Sequence, residues 1–356
     1  MGAPAPAQRR RGGPRADRSH ELQQHVGSLS PAEFRQRLWD FVLADHPDVL
    51  VLRFLRARRW EVARAVAMLA SALSWRHAQQ IDEVVVGCGE SAALAPDDKA
   101  ALVAQYRAGK AYVRGADRAR RPVFVIRVRL HDPKLQPAAV MERFVLHSIE
   151  TMRAMLRYPR EKACLVFDLT GFALRNMDFY VVKFLGIWKI IRPWLDPVIA
   201  SKVHFTSGPR ELARFIAPDN LQLCYGGQDA WEFTYVAAAD ASENDRMRSE
   251  KKHAVRAERD ALVRRFEQLS AEWAGGASAT HEDCVVPPEA DVNARAAADV
   301  DVEAARRKVA AERRNELAGQ LRESFWKLGP YVRARTYYHR VGVIGPAGEV
   351  DYKAAP

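Results

Sequence analysis

Two apolar runs, Pro122-Val123-Phe124-Val125-Ile126-Arg127-Val128 and Ala163-Cys164-Leu165-Val166-Phe167-Asp168-Leu169, constrain this chain more than any other feature. Each has the length of a strand rather than a helix, and the β-branched and aromatic residues suit a pleated surface. The second run is apolar at nearly every position, which predicts a strand buried on both faces. Between them, Pro137 opens a helical pattern that continues to about Leu156, with Met141, Phe144, Val145, Ile149 and Met152 expected to face inward. Val203-His204-Phe205-Thr206 reads as a further short strand, and Glu211 to Ala217 as a helix leading into Leu221–Gly227. Strands alternating with helices predict an α/β fold with crossover connections and a mainly parallel sheet flanked by helices.

A small all-α lobe is expected ahead of this layer, at 30–85. Ser30-Pro31-Ala32-Glu33 has the signature of a capping box, with proline in the first turn. Phe34, Leu38, Phe41 and Val42 then share a helical face. A break at Asp45-His46-Pro47 precedes a second helix, Asp48 to Arg58. A third runs from Glu61 to about Gln79 with Val62, Val66, Leu69 and Leu73 as its stripe, and Gly87-Cys88-Gly89 ends the lobe. The α/β domain is placed at 96–235. Residues 1–28 read as a disordered basic arm, with Arg9, Arg10, Arg11, Arg15 and Arg18 among Pro and Gly. Beyond 243 the chain is charged and helical to 356. Val255, Leu262, Val263, Phe266, Leu269 and Trp273 fall at helical intervals, 274–300 is expected to be flexible, and 301–328 forms another helix.

Charge and cysteine content narrow the classes. The net charge of +11 fits nucleic acid, an anionic membrane surface or plain solubility. The basic residues are dispersed and mixed with acids along the C-terminal helices, unlike a nucleic-acid footprint, so no nucleic-acid partner is expected. No apolar run reaches the roughly 18 residues of a membrane span, and Met1–Arg18 lacks an apolar signal core. A cytoplasmic protein that meets membranes transiently from outside is expected. Cys88, Cys164, Cys224 and Cys284 are scattered with no Cys-x-x-Cys pair, so reduced thiols and no metal site are expected. Phosphate-loop, nucleophile-elbow and zinc-helix motifs are absent from the sequence, which argues against an enzyme. Asp168-Leu169-Thr170-Gly171 has a GTPase-like spacing but, without a phosphate loop, reads as a strand end.

Three segments combine bulky apolar residues with fixed positive charge. The first is Arg53-Phe54-Leu55-Arg56-Ala57-Arg58-Arg59-Trp60. By itself it reads as a solvated helix face with two core residues, although guanidinium groups also hold phosphate through bidentate bonds. The second, Gly186 to Leu195, contains Ile187, Trp188, Ile190, Ile191, Trp194 and Leu195, and periodicity alone makes it a buried helix. The third, Asp196-Pro197-Val198-Ile199-Ala200-Ser201-Lys202-Val203, is a turn leading into a strand.

As a set these segments resemble the CRAL-TRIO lipid-transfer family, in particular its fungal phosphatidylinositol-transfer-like members, over about residues 33–235. The first resembles the family's Leu-Arg-Phe-Leu-Arg-Ala-Arg motif, and the resemblance gives Arg58 a part in holding a lipid head-group phosphate. The third resembles the family's Leu-Asp-Pro turn followed by Ser-Lys, and gives Lys202 a head-group role, with Ile199 where a hydroxyl is common. The resemblance makes Ile187, Trp188, Ile190, Ile191, Trp194 and Leu195 part of a mobile gate over the lipid cavity. Leu321–Leu328 and Tyr331–Arg340 resemble a C-terminal extension of fungal relatives, expected to dock back on the domain. The resemblance implies a monomer that binds a phospholipid such as phosphatidylinositol in an apolar pocket and exchanges it at membranes. No cofactor besides the bound lipid is implied. The alternative is an adaptor recruited to membranes that binds lipid without moving it.

One departure stands out. Phe179–Leu185 runs straight into Gly186-Ile187-Trp188, where the family carries a further strand and a Tyr-Pro-Glu helix end. The sequence therefore has an internal deletion near Leu185–Gly186, and a glutamate that contacts inositol in the family has no counterpart. A gene model that skips an exon, or a narrower sheet, accounts for such a join.

Overall fold

In a computed structural model, residues 29–91, 96–134, 136–156, 161–173, 176, 202–238, 241–275 and 292–354 are described. The helices are α1 (Pro31–Val42), α2 (Pro47–Ala57), α3 (Val62–Ala78), α4 (Pro96–Arg107), α5 (Ala138–Met155), α6 (Pro209–Leu212), α7 (Lys251–Ala274), α8 (Val292–Val332) and α9 (Tyr337–Arg340). The strands are β1 (Ala111–Ala116), β2 (Pro122–Arg127) and β3 (Cys164–Asp168). The chain divides into two compact units: residues up to Asp82 with Phe266–Gly319, and Glu83–Arg265 with Gln320 onward. The C-terminal segment thus contributes to both.

The first unit is helical. Ser30 caps α1 as expected: Glu33 N–H donates to Ser30 Oγ at 3.2 Å, and Ser30 N–H to the Glu33 carboxylate at 2.8 Å. His46 caps α2 by accepting from the Asp48 N–H at 3.1 Å. Residues of α7 and α8 complete this unit. Trp39 meets the edge of Phe266 at 5.7 Å and donates its indole N–H to Glu267, which also takes a bidentate pair from Arg35. The Arg314 guanidinium lies over Phe266 and pairs with Asp48 at 2.6 Å. The stripe expected on α3 is only half right. Leu73 is fully buried, but Val62 and Val66 face solvent, and Ala65 and Ala70 take the core positions. Small residues let helices approach closely, which counting large apolar residues misses.

The second unit holds the sheet, in the order β1-β2-β3. β2 and β3 run parallel, joined through α5, as the strand–helix–strand pattern predicts; β1 and β2 are antiparallel. β1 carries little strand signal in the sequence: Ala111-Tyr112-Val113-Arg114-Gly115-Ala116 mixes charge and glycine into a short run. Its register shifts between Val113 and Ala116, a bulge that Gly115 accommodates at φ 66°. One sheet face packs Tyr112, Val123 and Val125 on Ile216 and Leu221. The other packs Val113 and Phe124 on Met155 of α5 and on Tyr337, Tyr338, Val341, Val343 and Ile344.

The C-terminal segment docks on this second face, as expected of it, and also protects the sheet edge. The outward N–H of Val113 donates to Tyr338 Oη, and that of Gly115 to the Tyr352 carbonyl, both at 2.9 Å. An edge strand otherwise presents such groups as a template for pairing. Arg114 adds a bidentate pair to Asp229 and reaches the Lys353 and Ala354 carbonyls.

Several expectations are corrected. β3 is not buried on both faces, because Leu165 and Phe167 point outward at 48 and 39 % exposure. Val145 and Ile149 of α5 are exposed rather than inward. Val203–Thr206 is not a strand, and Phe205 is 82 % exposed. A run of four residues has no strand stability without a ladder partner, and among the described residues it finds none. Residues 292–300, expected to be flexible, belong to α8. The basic arm at 1–28 lies outside the described residues.

Candidate functional site

A partly exposed apolar surface on the second unit follows from strand register. In the parallel ladder Phe124 is opposite Leu165, and Ile126 opposite Phe167, and opposed residues share a sheet face. Under β2 this face is covered by the docked C-terminal segment and by Met152 and Met155. At β3, Leu165 and Phe167 are partly exposed, as is Leu169 just beyond. Val145 and Ile149 stand seven and three residues before Met152, so they continue its helical stripe outward from the covered core. Five large apolar side chains, from α5, β3 and the residue just after β3, are thus partly exposed beside a closed core. Isolated apolar residues on a surface are ordinary; a set that continues a core face marks a place for a ligand or partner.

The polar end of β3 is tightly organised. Asp168 is buried, accepts from Tyr225 Oη at 2.9 Å and from the Thr170 N–H at 2.9 Å, and has Arg129 at 3.9 Å. Burial and this carboxylate push the Tyr225 phenol far above its usual range, so it stays a hydrogen-bond donor. The Asp-x-x-Gly spacing is therefore a strand-end turn, as read from the sequence.

Arg58 is the residue after α2, exposed and without an acidic partner among the described residues. Arg53 of the same run differs: it pairs with the buried Asp45. Lys202 is described as an exposed turn residue. Arg58 belongs to the first unit and Lys202 to the second. Ile187, Trp188, Ile190, Ile191, Trp194 and Leu195 lie outside the described residues.

A second cluster, which sequence reasoning missed, sits under the docked C-terminal segment. Glu90 accepts from the Tyr337 N–H and from Tyr235 Oη, both at 2.7 Å, and pairs with Arg340. Arg340 has Glu243 on its other side at 3.6 Å. Nearby, His147 is buried with its Nδ1 2.8 Å from Tyr106 Oη. Burial, with a smaller effect from Arg333 among others, lowers the His147 pKa to about 4, so the imidazole is neutral at pH 7. Glu90, Tyr106, His147, Tyr235 and Tyr337 help line a cavity of about 30 Å³, room for one water and far below what hydrocarbon requires. No sequence motif announces this cluster, because its members lie up to 250 residues apart.

Comparison with known proteins adds the family. The CRAL/TRIO domain model matches residues 106–186 and 182–227, and that of the CRAL/TRIO N-terminal domain matches 19–71. A CRAL-TRIO domain-containing protein of Schizosaccharomyces pombe is 33 % identical over 342 residues, covering 89 % of this chain and 70 % of the relative. This chain belongs to the CRAL-TRIO family. Phosphatidylinositol transfer protein CSR1 of Eremothecium gossypii is 32 % identical over 350 residues, covering 91 % of this chain and 74 % of the relative. The SEC14 cytosolic factor of the same fungus is 25 % identical over 241 residues, covering 56 % and 73 %. The CRAL-TRIO match comes in two pieces that overlap at 182–186, at the Leu185–Gly186 join where the sequence departs from the family pattern. An alignment of 342 positions that covers 89 % of 356 residues leaves about two dozen positions filled by the relative alone. Among the described residues no helix is long and apolar enough to cross a membrane.

Proposed function

We propose that this CRAL-TRIO chain binds a lipid, a phospholipid such as phosphatidylinositol, against the apolar face carried by β3 and α5, and exchanges it at membranes. The observation that carries the reading is the set Val145, Ile149, Leu165, Phe167 and Leu169, which extends a core face into solvent. A diacyl lipid brings roughly 30 methylenes, each worth about 0.8 kcal/mol on leaving water, so a carrier must offer hydrocarbon in return. These five residues would form one wall. Ile187, Trp188, Ile190, Ile191, Trp194 and Leu195 would form the gate, and Arg58 and Lys202 would favour an anionic head group. The names of the phosphatidylinositol transfer protein and SEC14 relatives point the same way. The reading involves no covalent chemistry and no cofactor besides the lipid, and it describes a cytoplasmic monomer that meets membranes transiently.

The test is lipid extraction from the purified full chain followed by mass spectrometry. The expected result is about one phospholipid per chain, with occupancy reduced severalfold in Phe167→Ser and Leu165→Ser, whose side chains are half exposed and outside the closed core. Purification without co-extracted lipid would sink the reading. Bound lipid with no transfer between vesicles would leave the adaptor form of it.

A further inference from the structure

The end of α2 has a feature that carriage of lipid by β3 and α5 does not use. The helix closes with a Schellman turn. Trp60 N–H donates back to the Leu55 carbonyl at 2.8 Å, and Arg59 N–H to the Arg56 carbonyl at 3.3 Å. The residue after the cap in this motif is usually glycine, because it takes a left-handed conformation. Here it is Arg59 at φ 52°, and Trp60 follows at φ 67°. Two successive left-handed residues with side chains are strained, and such strain gathers where a surface has a task. In a Schellman turn the residue at the Trp60 position ordinarily packs back on the residue at the Leu55 position. Trp60 instead stands 60 % exposed, followed by Val62 at 65 %.

The charges around it are free as well. Every residue from Arg56 to Arg64 is exposed. Arg56, Arg58 and Arg59 have no acidic partner among the described residues, and the one acid in the segment, Glu61, is held by Arg64 at 3.1 Å. A projecting indole and valine ringed by unneutralised guanidinium groups match the boundary between lipid head groups and acyl chains. There an amphipathic aromatic sits favourably and cations meet anionic phosphate.

We propose that the Arg56–Val62 tip docks on the surface of a bilayer containing anionic lipids. Of this tip only Arg58 has a part in the proposed carriage of lipid; Arg56, Arg59, Trp60 and Val62 have none, and the docking is carried by them. Co-sedimentation of the full chain with phosphatidylcholine vesicles, with and without phosphatidylserine, tests it. Each arginine near an anionic leaflet is worth about 1 kcal/mol, roughly fivefold in partitioning. Arg56→Gln/Arg59→Gln is therefore expected to weaken binding to phosphatidylserine vesicles about thirtyfold at low salt. Trp60→Ser is expected to weaken it also at high salt, where charge is screened. Arg59→Gly removes the charge and relaxes the turn, so it is expected to bind about fivefold more weakly with no loss of melting temperature. All of these variants should co-purify with as much lipid as the wild type, which separates this docking from the carriage of lipid. Variants that sediment like the wild type would overturn the proposal, as would equal binding to phosphatidylcholine alone. Release of the wild type from vesicles by single-stranded RNA would overturn it in favour of a nucleic-acid partner.

Discussion

Replacing Glu90 with leucine should release the C-terminal segment from the sheet, and the size of the effect can be worked from its partners. Glu90 is buried and accepts from three donors: the Tyr337 N–H, Tyr235 Oη and Arg340. Its removal orphans two neutral donors and leaves the buried Arg340 guanidinium with Glu243 at 3.6 Å as its remaining ion-pair partner. Breaking a buried pair from one side typically costs about 3–5 kcal/mol. The second carboxylate softens this, so about 3 kcal/mol is expected. Arg340→Leu should cost less, about 2 kcal/mol, since Glu90 keeps two donors. The double variant should fall short of the sum by about 1 kcal/mol or more, because each single change strands the other's charge. With two compact units, global unfolding does not isolate release of this one segment, so local opening is the better assay for it. Hydrogen exchange at Val113 and Gly115, whose N–H groups donate to Tyr338 and Tyr352, reports release of the segment. A loss of about 3 kcal/mol corresponds to exchange about a hundredfold faster. Unchanged exchange at both amides in Glu90→Leu, or strictly additive single effects, would refute the reasoning.

Acid should act on the same region. Burial lowers the pKa of both His147 and His339 to about 4, helped at His339 by Arg333 and Arg335. The unfolded chain binds these protons near pH 6.5, so the stabilisation is present above that pH and is lost as pH falls toward 4. For His147 alone the loss between pH 7 and pH 5 is about 2 kcal/mol, visible as a falling melting temperature that His147→Gln should flatten. Gly89→Ala should weaken the docked segment by about 1–3 kcal/mol, because its φ is +55° and the added Cβ would meet Ala334 Cβ at 2.7 Å; exchange at Val113 checks this too. Transcript sequencing across Leu185–Gly186 should recover a longer message encoding the residues that relatives have and this chain lacks. A continuous message at that join would make the short form the real protein.

How far residues could be read depended on the range of the forces that place them. The capping box at Ser30, the break at His46-Pro47 and the β2–α5–β3 order were legible, because capping, backbone restriction and apolar periodicity act within a few residues of sequence. The cationic run Arg53–Trp60 was also visible, and with it the family. What that run could not show is that Arg53 pairs with Asp45 while Arg56, Arg58 and Arg59 have no acidic partner among the described residues. Nor could it show that Trp60 is turned outward by two left-handed residues.

Sequence alone therefore determined the α/β class, the helical N-terminal segment and the CRAL-TRIO membership. Tertiary structure decided which apolar residues are core and which are surface. β3 and α5 read as buried, yet Leu165, Phe167, Val145 and Ile149 are exposed, because burial depends on which neighbours cover a face. It also decided that the sheet edge at β1 is closed by Tyr338 and Tyr352 from the far end of the chain. A hydrogen bond or ion pair between residues more than two hundred positions apart leaves no periodic trace in a sequence, and only the folded chain brings the partners together.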